Sequence, residues 1–151
     1  MIKTINPCVI GLGYVGLPVF LRLQAKFQSI GFDSDLIRVK NLSKKIDTNR
    51  EFKKKQLILK NKSFLSFEKK MVKLSNFYII TVPTPITKTN KPDLSHLINA
   101  SILIAKNLKK NDILIYESTV YPGTTKFLVK NYLNKYSKLK EGKDFFVGYS
   151  P

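Results

Sequence analysis

The chain has 151 residues, 43% of them hydrophobic and 11% aromatic, which fits one globular domain with its own core and excludes a disordered tail. No apolar run approaches the roughly 18 residues of a membrane span, and the single cysteine, Cys8, excludes an internal disulfide and a cysteine-based metal cluster. The net charge of +17 comes mainly from lysine, which favours a solvated surface set by composition over phosphate recognition, for which arginine is the better residue.

Strand-like apolar runs alternate with helical patterns along the whole chain. The predicted strands cover residues 7–10, 29–32, 63–67, 77–82, 112–116 and 145–149. The predicted helices cover residues 14–27, 35–43, 49–59, 95–108 and 123–136. Asp35 and Ser95 stand where the cap of a helix is expected.

This alternation predicts the fold class. Strands that alternate with helices form βαβ units, so we expect a parallel sheet covered by helices on both faces. The prediction is a Rossmann-type α/β domain with a doubly wound sheet in the order 3-2-1-4-5-6, covering residues 1–151. Because the chain stops directly after its last predicted strand, we also expect a domain truncated at its C-terminal end.

A glycine motif links the first strand to the first helix. Gly11, Gly13 and Gly16 form GxGxxG in the strand–turn–helix context that dinucleotide binding requires. Gly11 suits a tight turn, Gly13 lets the backbone approach a pyrophosphate, and Gly16 lets the helix pack closely on the strand. The free N–H groups at the helix start favour the phosphates. The alternative is a plain glycine turn without a ligand.

Acidic residues after the second strand point to NAD. Asp33 ends that strand at about the spacing expected for the acid that binds the adenosine ribose. A carboxylate there would repel the additional phosphate of NADP, so NAD is favoured. Asp35 competes for this role but is better placed as a helix cap. Arg38 is either a ribose or phosphate contact or a solvated helix residue.

Several further segments carry a family resemblance. They are VIGLGYVGLP (9–18), GFDSD (31–35), FYIITVPTPI (77–86), NKPDLSHL (90–97), YESTVYPGTT (116–125) and GYSP (148–151). In this order they resemble the UDP-glucose/GDP-mannose dehydrogenase family, and most of all its UDP-N-acetylglucosamine and UDP-N-acetylgalactosamine 6-dehydrogenases. Those enzymes serve bacterial polysaccharide biosynthesis.

The resemblance implies roles for particular residues. Tyr14 and Val15 of the glycine loop, together with the glycines and Asp33, would contact NAD. Arg38 matches the basic position that helps hold the adenosine ribose. Thr84 and Thr119 match threonines near the cofactor, and Thr119 would also lie near the reacting end, as a tentative catalytic residue.

The family chemistry is implied only in part. Family members oxidise the sugar C6 alcohol to a carboxylate and consume two NAD, by way of a covalent intermediate on a cysteine. By this resemblance, the nucleophilic cysteine, a lysine, an asparagine and a glutamate would lie beyond Pro151, as would the central and UDP-sugar-binding domains. Cys8 is not the nucleophile, because it belongs to the first strand. His96 is read as a surface or packing residue.

The resemblance also has consequences for partners and leaves alternatives open. We expect a UDP-sugar substrate and a homo-oligomer for the full-length enzyme, a cytoplasmic location, and neither a metal nor a membrane partner. The chain departs from the family at Lys45, usually glycine, at Asn49, usually threonine, and at Lys126, commonly acidic. A non-catalytic NAD-binding remnant and, less favoured, a nucleic-acid-binding protein remain as alternatives.

Overall fold

The computed structural model describes residues 4–87, 90–118 and 120–150. Six parallel strands form a single sheet in the order β3-β2-β1-β4-β5-β6, which confirms the predicted fold. The strands are β1 Pro7–Ile10, β2 Ile30–Phe32, β3 Phe64–Ser66, β4 Phe77–Ile80, β5 Asp112–Tyr116 and β6 Phe145–Tyr149.

The helices cover both faces of this sheet. They are α1 Gly16–Leu23, α2 Leu36–Ser43, α3 Ser95–Ala105, α4 Thr124–Leu128 and α5 Asn134–Ser137, with short 3₁₀ helices at Lys54–Gln56 and Lys69–Leu74. A π-helical turn, Val129–Leu133, joins α4 to α5. The helix predicted over residues 123–136 is therefore present, but its hydrogen-bond pattern changes midway. Among the described residues, no helix is long and apolar enough to cross a membrane.

Alternate residues of the central strands pack into two separate hydrophobic cores, one on each face of the sheet. Cys8 and Ile10 of β1 belong to one buried cluster, which also contains residues of α3 and the C-terminal helices. Val9 points to the other cluster, where it meets Leu17 and Phe20 of α1. Because side chains alternate across a strand, a fully buried strand must be apolar on both sides, as β1 is.

The order of the strands places a crevice beside β1. After β3 the chain crosses back to form β4 on the opposite side of β1, so that β1 has parallel neighbours from both halves of the domain. The connections therefore leave in opposite directions at the carboxyl ends of β1 and β4. Open parallel sheets bind their ligands at this point.

Two local predictions were wrong, and each has a physical reason. Residues 49–59 contain only a single 3₁₀ turn, because the N–H groups of Asn49, Glu51 and Phe52 bond to the Asp47 carboxylate and not to helical carbonyls. Ser95 begins α3 and does not cap it; its own N–H bonds to the carboxylate of Asp93. The Asp35 cap is confirmed, since its carboxylate accepts the N–H groups of Ile37 and Arg38.

Candidate functional site

A cavity of about 720 Å³ lies at the carboxyl ends of β1, β2 and β4. Its size is in the range of sites for small molecules and cofactors. The residues that line it come from the loops after these three strands, from α2 and the loop that follows it, from the 3₁₀ helix after β3, and from one side of α3. They include Gly11, Leu12, Gly13, Asp33, Arg38, Asn49, Lys69, Thr81, Val82, His96, Asn99, Leu103 and Lys106.

The three glycines of the motif have different surroundings. Gly11 has a φ of +95°, a conformation that favours glycine. A Cβ on Gly16 would collide with the carbonyl oxygen of Gly11 and the hydroxyl of Thr81. Gly13 lines the cavity, and a Cβ there would meet no atom within 4 Å. Two of the glycines thus build the turn, while Gly13 leaves space for a ligand.

Charged side chains hold the peptide groups on both sides of Leu12. The Leu12 N–H donates to Oδ2 of Asp33 at 2.7 Å, and the Leu12 carbonyl accepts from Nε of Arg38 at 2.8 Å. Oδ1 of Asp33 accepts the N–H of Asp35 at 2.9 Å. Asp33 therefore connects the end of β2 to the glycine loop while it lines the cavity.

Arg38 is buried, with 7% of its surface exposed. Nη1 donates to the carboxylate of Asp47 at 2.7 Å and to the hydroxyl of Thr48 at 2.9 Å. Burial raises the pKa of Asp47, but the hydrogen bonds from Arg38 and from the N–H groups of Phe52, Asn49 and Glu51 outweigh it, so the pKa lies below its ordinary value. This environment rules out the alternative that Arg38 is a solvated helix residue.

Thr81 ties the fourth strand to the glycine turn. It follows β4, and its hydroxyl lies 3.1 Å from the carbonyl oxygen of Ile10 and 2.8 Å from that of Gly11. The backbone N–H of Thr81 also bonds to the carbonyl of Ile10. No role was predicted for Thr81 from the sequence, although a polar residue that ends an apolar strand at the ligand edge of a parallel sheet is a usable signal.

The far wall of the cavity comes from α3. His96 and Asn99 are exposed side chains that line the cavity near the start of the helix, and Leu103 and Lys106 line it further along. Lys69, from the 3₁₀ helix after β3, lines it as well. His96 was predicted to be a surface or packing residue, and its place in the cavity wall was not predicted. Its place depends on how α3 packs on the sheet, and no local motif marks it.

A family model described as "UDP-glucose/GDP-mannose dehydrogenase family, NAD binding domain" matches residues 5–151. The chain belongs to this family. NAD is accordingly the cofactor of this domain, as the motif at Gly11–Gly16 and the acid at Asp33 predicted. The open position at Gly13 and the donors of the turn fit a dinucleotide.

Relatives support the family assignment and show how much of their length this chain covers. The Staphylococcus aureus protein named CapL is 47% identical over 146 residues, which are 97% of this chain and 34% of the relative. A Pseudomonas aeruginosa protein named UDP-N-acetyl-D-glucosamine 6-dehydrogenase is 42% identical over 149 residues, which are 99% of this chain and 35% of the relative. The chain thus spans about a third of the length of these relatives.

Solved structures of the family share the fold. The UDP-D-ManNAc dehydrogenase of Pyrococcus horikoshii superposes with a TM-score of 0.87 at 30% identity, over 97% of this chain and 36% of that chain. The GDP-mannose dehydrogenase of Pseudomonas aeruginosa gives a TM-score of 0.87 at 26% identity, over 96% of this chain and 35% of that chain.

The structure brings together part of the set of residues expected to bind NAD. Gly11, Gly13, Asp33 and Arg38 line the cavity. Gly16 begins α1, and Tyr14 and Val15 precede it with exposed side chains; none of the three is among the lining residues. Thr84 lies in the loop that follows β4 and is not a lining residue. Thr119 lies outside the described residues.

No metal site is found in the described ranges. Across residues 4–87, 90–118 and 120–150, no group of three or more His, Cys, Asp or Glu side chains is arranged to hold a metal ion. Cys8 is fully buried in β1, and burial raises the pKa of its thiol far above the ordinary value. A thiol in this environment does not form the thiolate that a nucleophile requires.

Proposed function

We propose that this chain is the NAD-binding portion of a nucleotide-sugar 6-dehydrogenase. The proposed reaction of the whole enzyme is oxidation of the C6 alcohol of a UDP-N-acetylhexosamine or UDP-hexose to the uronate, with two NAD consumed. The observation that carries the proposal is the cavity beside β1, where Gly13 leaves open space next to the Leu12 peptide that Asp33 and Arg38 hold. The names of the relatives suggest the substrate class.

The residues of the cavity have distinct proposed roles. The N–H group of Gly13 and those of the residues that follow it in the loop would donate to the pyrophosphate at the positive end of α1. Asp33 would accept the hydroxyl groups of the adenosine ribose, and its second oxygen would keep the Leu12 N–H in place. Arg38 would support the ribose from the start of α2. Tyr14, Val15 and Gly16 would shape the turn.

Two threonines complete the proposed site. Thr84 would contact the cofactor from the loop after β4, and Thr119 would contact it near the reacting carbon of the sugar. NAD, when bound, supplies the hydride acceptor. The residues of this chain bind and orient it, and we assign to them no covalent step. Cys8 is the only cysteine in the sequence and is buried in β1.

The proposal extends to the behaviour of the isolated chain. Binding of NAD without a nucleophile or a sugar site gives no turnover, because only interactions made in the transition state accelerate a reaction. We therefore propose that this chain binds NAD and does not oxidise UDP-sugars by itself. In the full-length enzyme, the substrate-binding site and the contacts between subunits would lie in further domains. We propose that this enzyme is a homo-oligomer that acts on UDP-sugars.

Titration calorimetry with NAD and an assay for NADH test both parts. We expect saturable NAD binding, and no NADH from NAD with UDP-N-acetylglucosamine, UDP-N-acetylgalactosamine or UDP-glucose. Absence of NAD binding would refute the cofactor role, and NADH formation would refute the claim of inactivity. Duplex DNA serves as the comparison ligand, since salt-sensitive DNA binding that NAD does not affect would favour nucleic-acid recognition.

A further inference from the structure

We propose that Asp47 is a positioning residue for the pyrophosphate of NAD, and that it acts through Arg38 on the peptide between Leu12 and Gly13. The inference rests on the proposed function of the glycine loop. Asp47 does not line the cavity and is not part of the GxGxxG motif. Its influence on the ligand would be exerted entirely through the groups that it holds.

The carboxylate of Asp47 is completely enclosed, with 0% of its side chain exposed. Oδ1 accepts Nη1 of Arg38 at 2.7 Å and the N–H of Asn49 at 3.1 Å. Oδ2 accepts the N–H groups of Glu51 at 2.9 Å and Phe52 at 3.0 Å. Four donors thus satisfy one buried charge, and the guanidinium of Arg38 has little freedom to rotate.

Arg38 carries this constraint to the glycine loop. While Nη1 is held by Asp47, Nε of the same rigid, planar guanidinium donates to the Leu12 carbonyl at 2.8 Å. Nη2 is buried and has no hydrogen-bond partner among the residues that the structure describes. A buried donor without a partner is costly for a group that serves stability alone. The orientation of the guanidinium is explained if its main task is to hold the Leu12 carbonyl of the glycine loop.

Because the peptide bond is planar, the contact between Arg38 and the Leu12 carbonyl also sets the direction of the Gly13 N–H. The carbonyl of Leu12 and the N–H of Gly13 belong to one trans peptide and point to opposite sides of it. Because Arg38 holds the carbonyl on one side, the N–H of Gly13 must point to the other. Gly13 lines the cavity and has open space beside it. Asp47 therefore sets the direction of a donor that is available to a phosphate oxygen.

The neighbouring peptide of the loop is held independently. The carbonyl of Gly11 accepts from Thr81, and the N–H of Leu12, in the same peptide, donates to Asp33. Both groups of that peptide are bonded within the protein. In the Leu12–Gly13 peptide, Arg38 holds the carbonyl, and in this proposal the N–H on the opposite side is left for a phosphate oxygen. Loss of Asp47 should therefore disturb the second peptide and leave the first in place.

The test uses the unmodified protein and four variants, with NAD as the probe: Asp47→Asn, Asp144→Asn, Arg38→Met, and Asp47→Asn combined with Arg38→Met. Asp47→Asn removes the charge at nearly the same volume. Asp144→Asn is the matched control, because Asp144 also accepts a backbone N–H, from Lys140, and pairs with a lysine away from the cavity. Arg38→Met provides a background in which Asp47 has no guanidinium to hold. Dissociation constants are measured well below the melting temperature of each variant.

We expect Asp47→Asn to weaken NAD binding roughly tenfold, the effect of about one charge-assisted hydrogen bond, and Asp144→Asn to leave it unchanged. In the Arg38→Met background the additional loss should be less than about twofold, because the two residues act in series. An unchanged affinity in Asp47→Asn, or the same fold loss in both backgrounds, would overturn the inference.

A second measurement does not depend on the ligand. In amide NMR spectra of the free protein, the Gly13 resonance should shift in Asp47→Asn and stay in place in Asp144→Asn. A Gly13 resonance that does not move would count against the inference even if Arg38→Met failed to fold. If the unmodified protein binds no NAD while the resonance does shift, the proposed function fails and the structural linkage from Asp47 to Gly13 stands.

Discussion

Gly16 lies so close to the carbonyl group of Gly11 that no side chain fits between them. An ideal Cβ on Gly16 would be 2.9 Å from the carbonyl carbon of Gly11 and closer still to its oxygen. The hydroxyl of Thr81, which bonds to that oxygen, blocks the same space. The first turn of α1 is therefore packed on the end of β1, backbone against backbone.

Replacement of Gly16 by alanine should destabilise the fold. Because the obstructing atoms belong mainly to the backbone, they cannot move aside cheaply. We expect Gly16→Ala to lower the free energy of unfolding by about 3 kcal/mol, at the upper end of the range for overpacked sites. Urea unfolding followed by circular dichroism measures this change. A loss below about 1 kcal/mol would contradict the close packing of α1 on β1.

Gly13→Ala should weaken NAD binding and leave the stability of the fold nearly unchanged. A Cβ there meets nothing within 4 Å, so we expect a change in the free energy of unfolding of less than about 1 kcal/mol. The same methyl group would occupy the space proposed for the pyrophosphate, and NAD binding should weaken by roughly tenfold or more. Calorimetric titration measures the affinity, with Lys126→Ala on α4 as the surface control. Unchanged NAD affinity would remove Gly13 from the proposed site.

Asp33 should determine the preference for NAD over NADP. Its carboxylate lines the cavity at the end of β2, where a phosphate on the adenosine ribose would meet a like charge. Asp33→Asn removes the charge and keeps an oxygen for the Leu12 N–H. We expect the ratio of the NADP to NAD dissociation constants to fall roughly tenfold or more. A ratio equal to that of the unmodified protein would show that the preference arises elsewhere.

Lys45 occupies a position where glycine would be more stable. It follows the end of α2 with a φ of +62°, its N–H bonds to the Leu42 carbonyl, and the N–H of Ile46 bonds to the Asn41 carbonyl. This is the Schellman arrangement, which favours glycine at the left-handed residue. Lys45→Gly should raise the free energy of unfolding by about 0.5–1 kcal/mol.

The control for Lys45→Gly is the residue before it. Lys44 has a φ of −84°, so glycine offers no conformational benefit there. Lys44→Gly should lower the free energy of unfolding by up to about 1 kcal/mol. Thermal and urea unfolding of both variants give the comparison. Equal effects of the two substitutions would contradict a left-handed conformation at Lys45.

The stability of the fold should decrease in acid through Asp47. Its pKa in the folded protein is below the ordinary value, so the unfolded chain takes up a proton at higher pH than the folded protein does. The stabilisation is complete above the unfolded pKa and is lost as the pH falls from that value through the lower folded pKa. Asp47→Asn should flatten this part of the profile in urea unfolding. An unchanged slope would mean that other groups carry the acid sensitivity.

Much of the fold could be predicted because its determinants are local. β1, β5 and β6 begin and end where the apolar runs do, and the Asp35 cap depends on a side chain two or three residues from its donors. The helix predicted over residues 49–59 does not form, because a nearby carboxylate takes up its N–H groups. Asp47 accepts the N–H groups of Glu51 and Phe52 that a helix would need, and Arg50 adopts a φ of +60°.

The sequence by itself determined the strand order, the glycine turn after β1, the place of Asp33 after β2 and the choice of NAD. These features follow from the alternation of strands and helices, from short-range spacing and from the rules of parallel sheets. Only the tertiary structure decided that Arg38 is buried, that Asp47 holds it, and that α3 supplies the far wall of the cavity. The physical reason is that these features depend on contacts between elements distant in the chain. Whether a charged residue is solvated or enclosed is decided by which surfaces meet when the helices pack on the sheet.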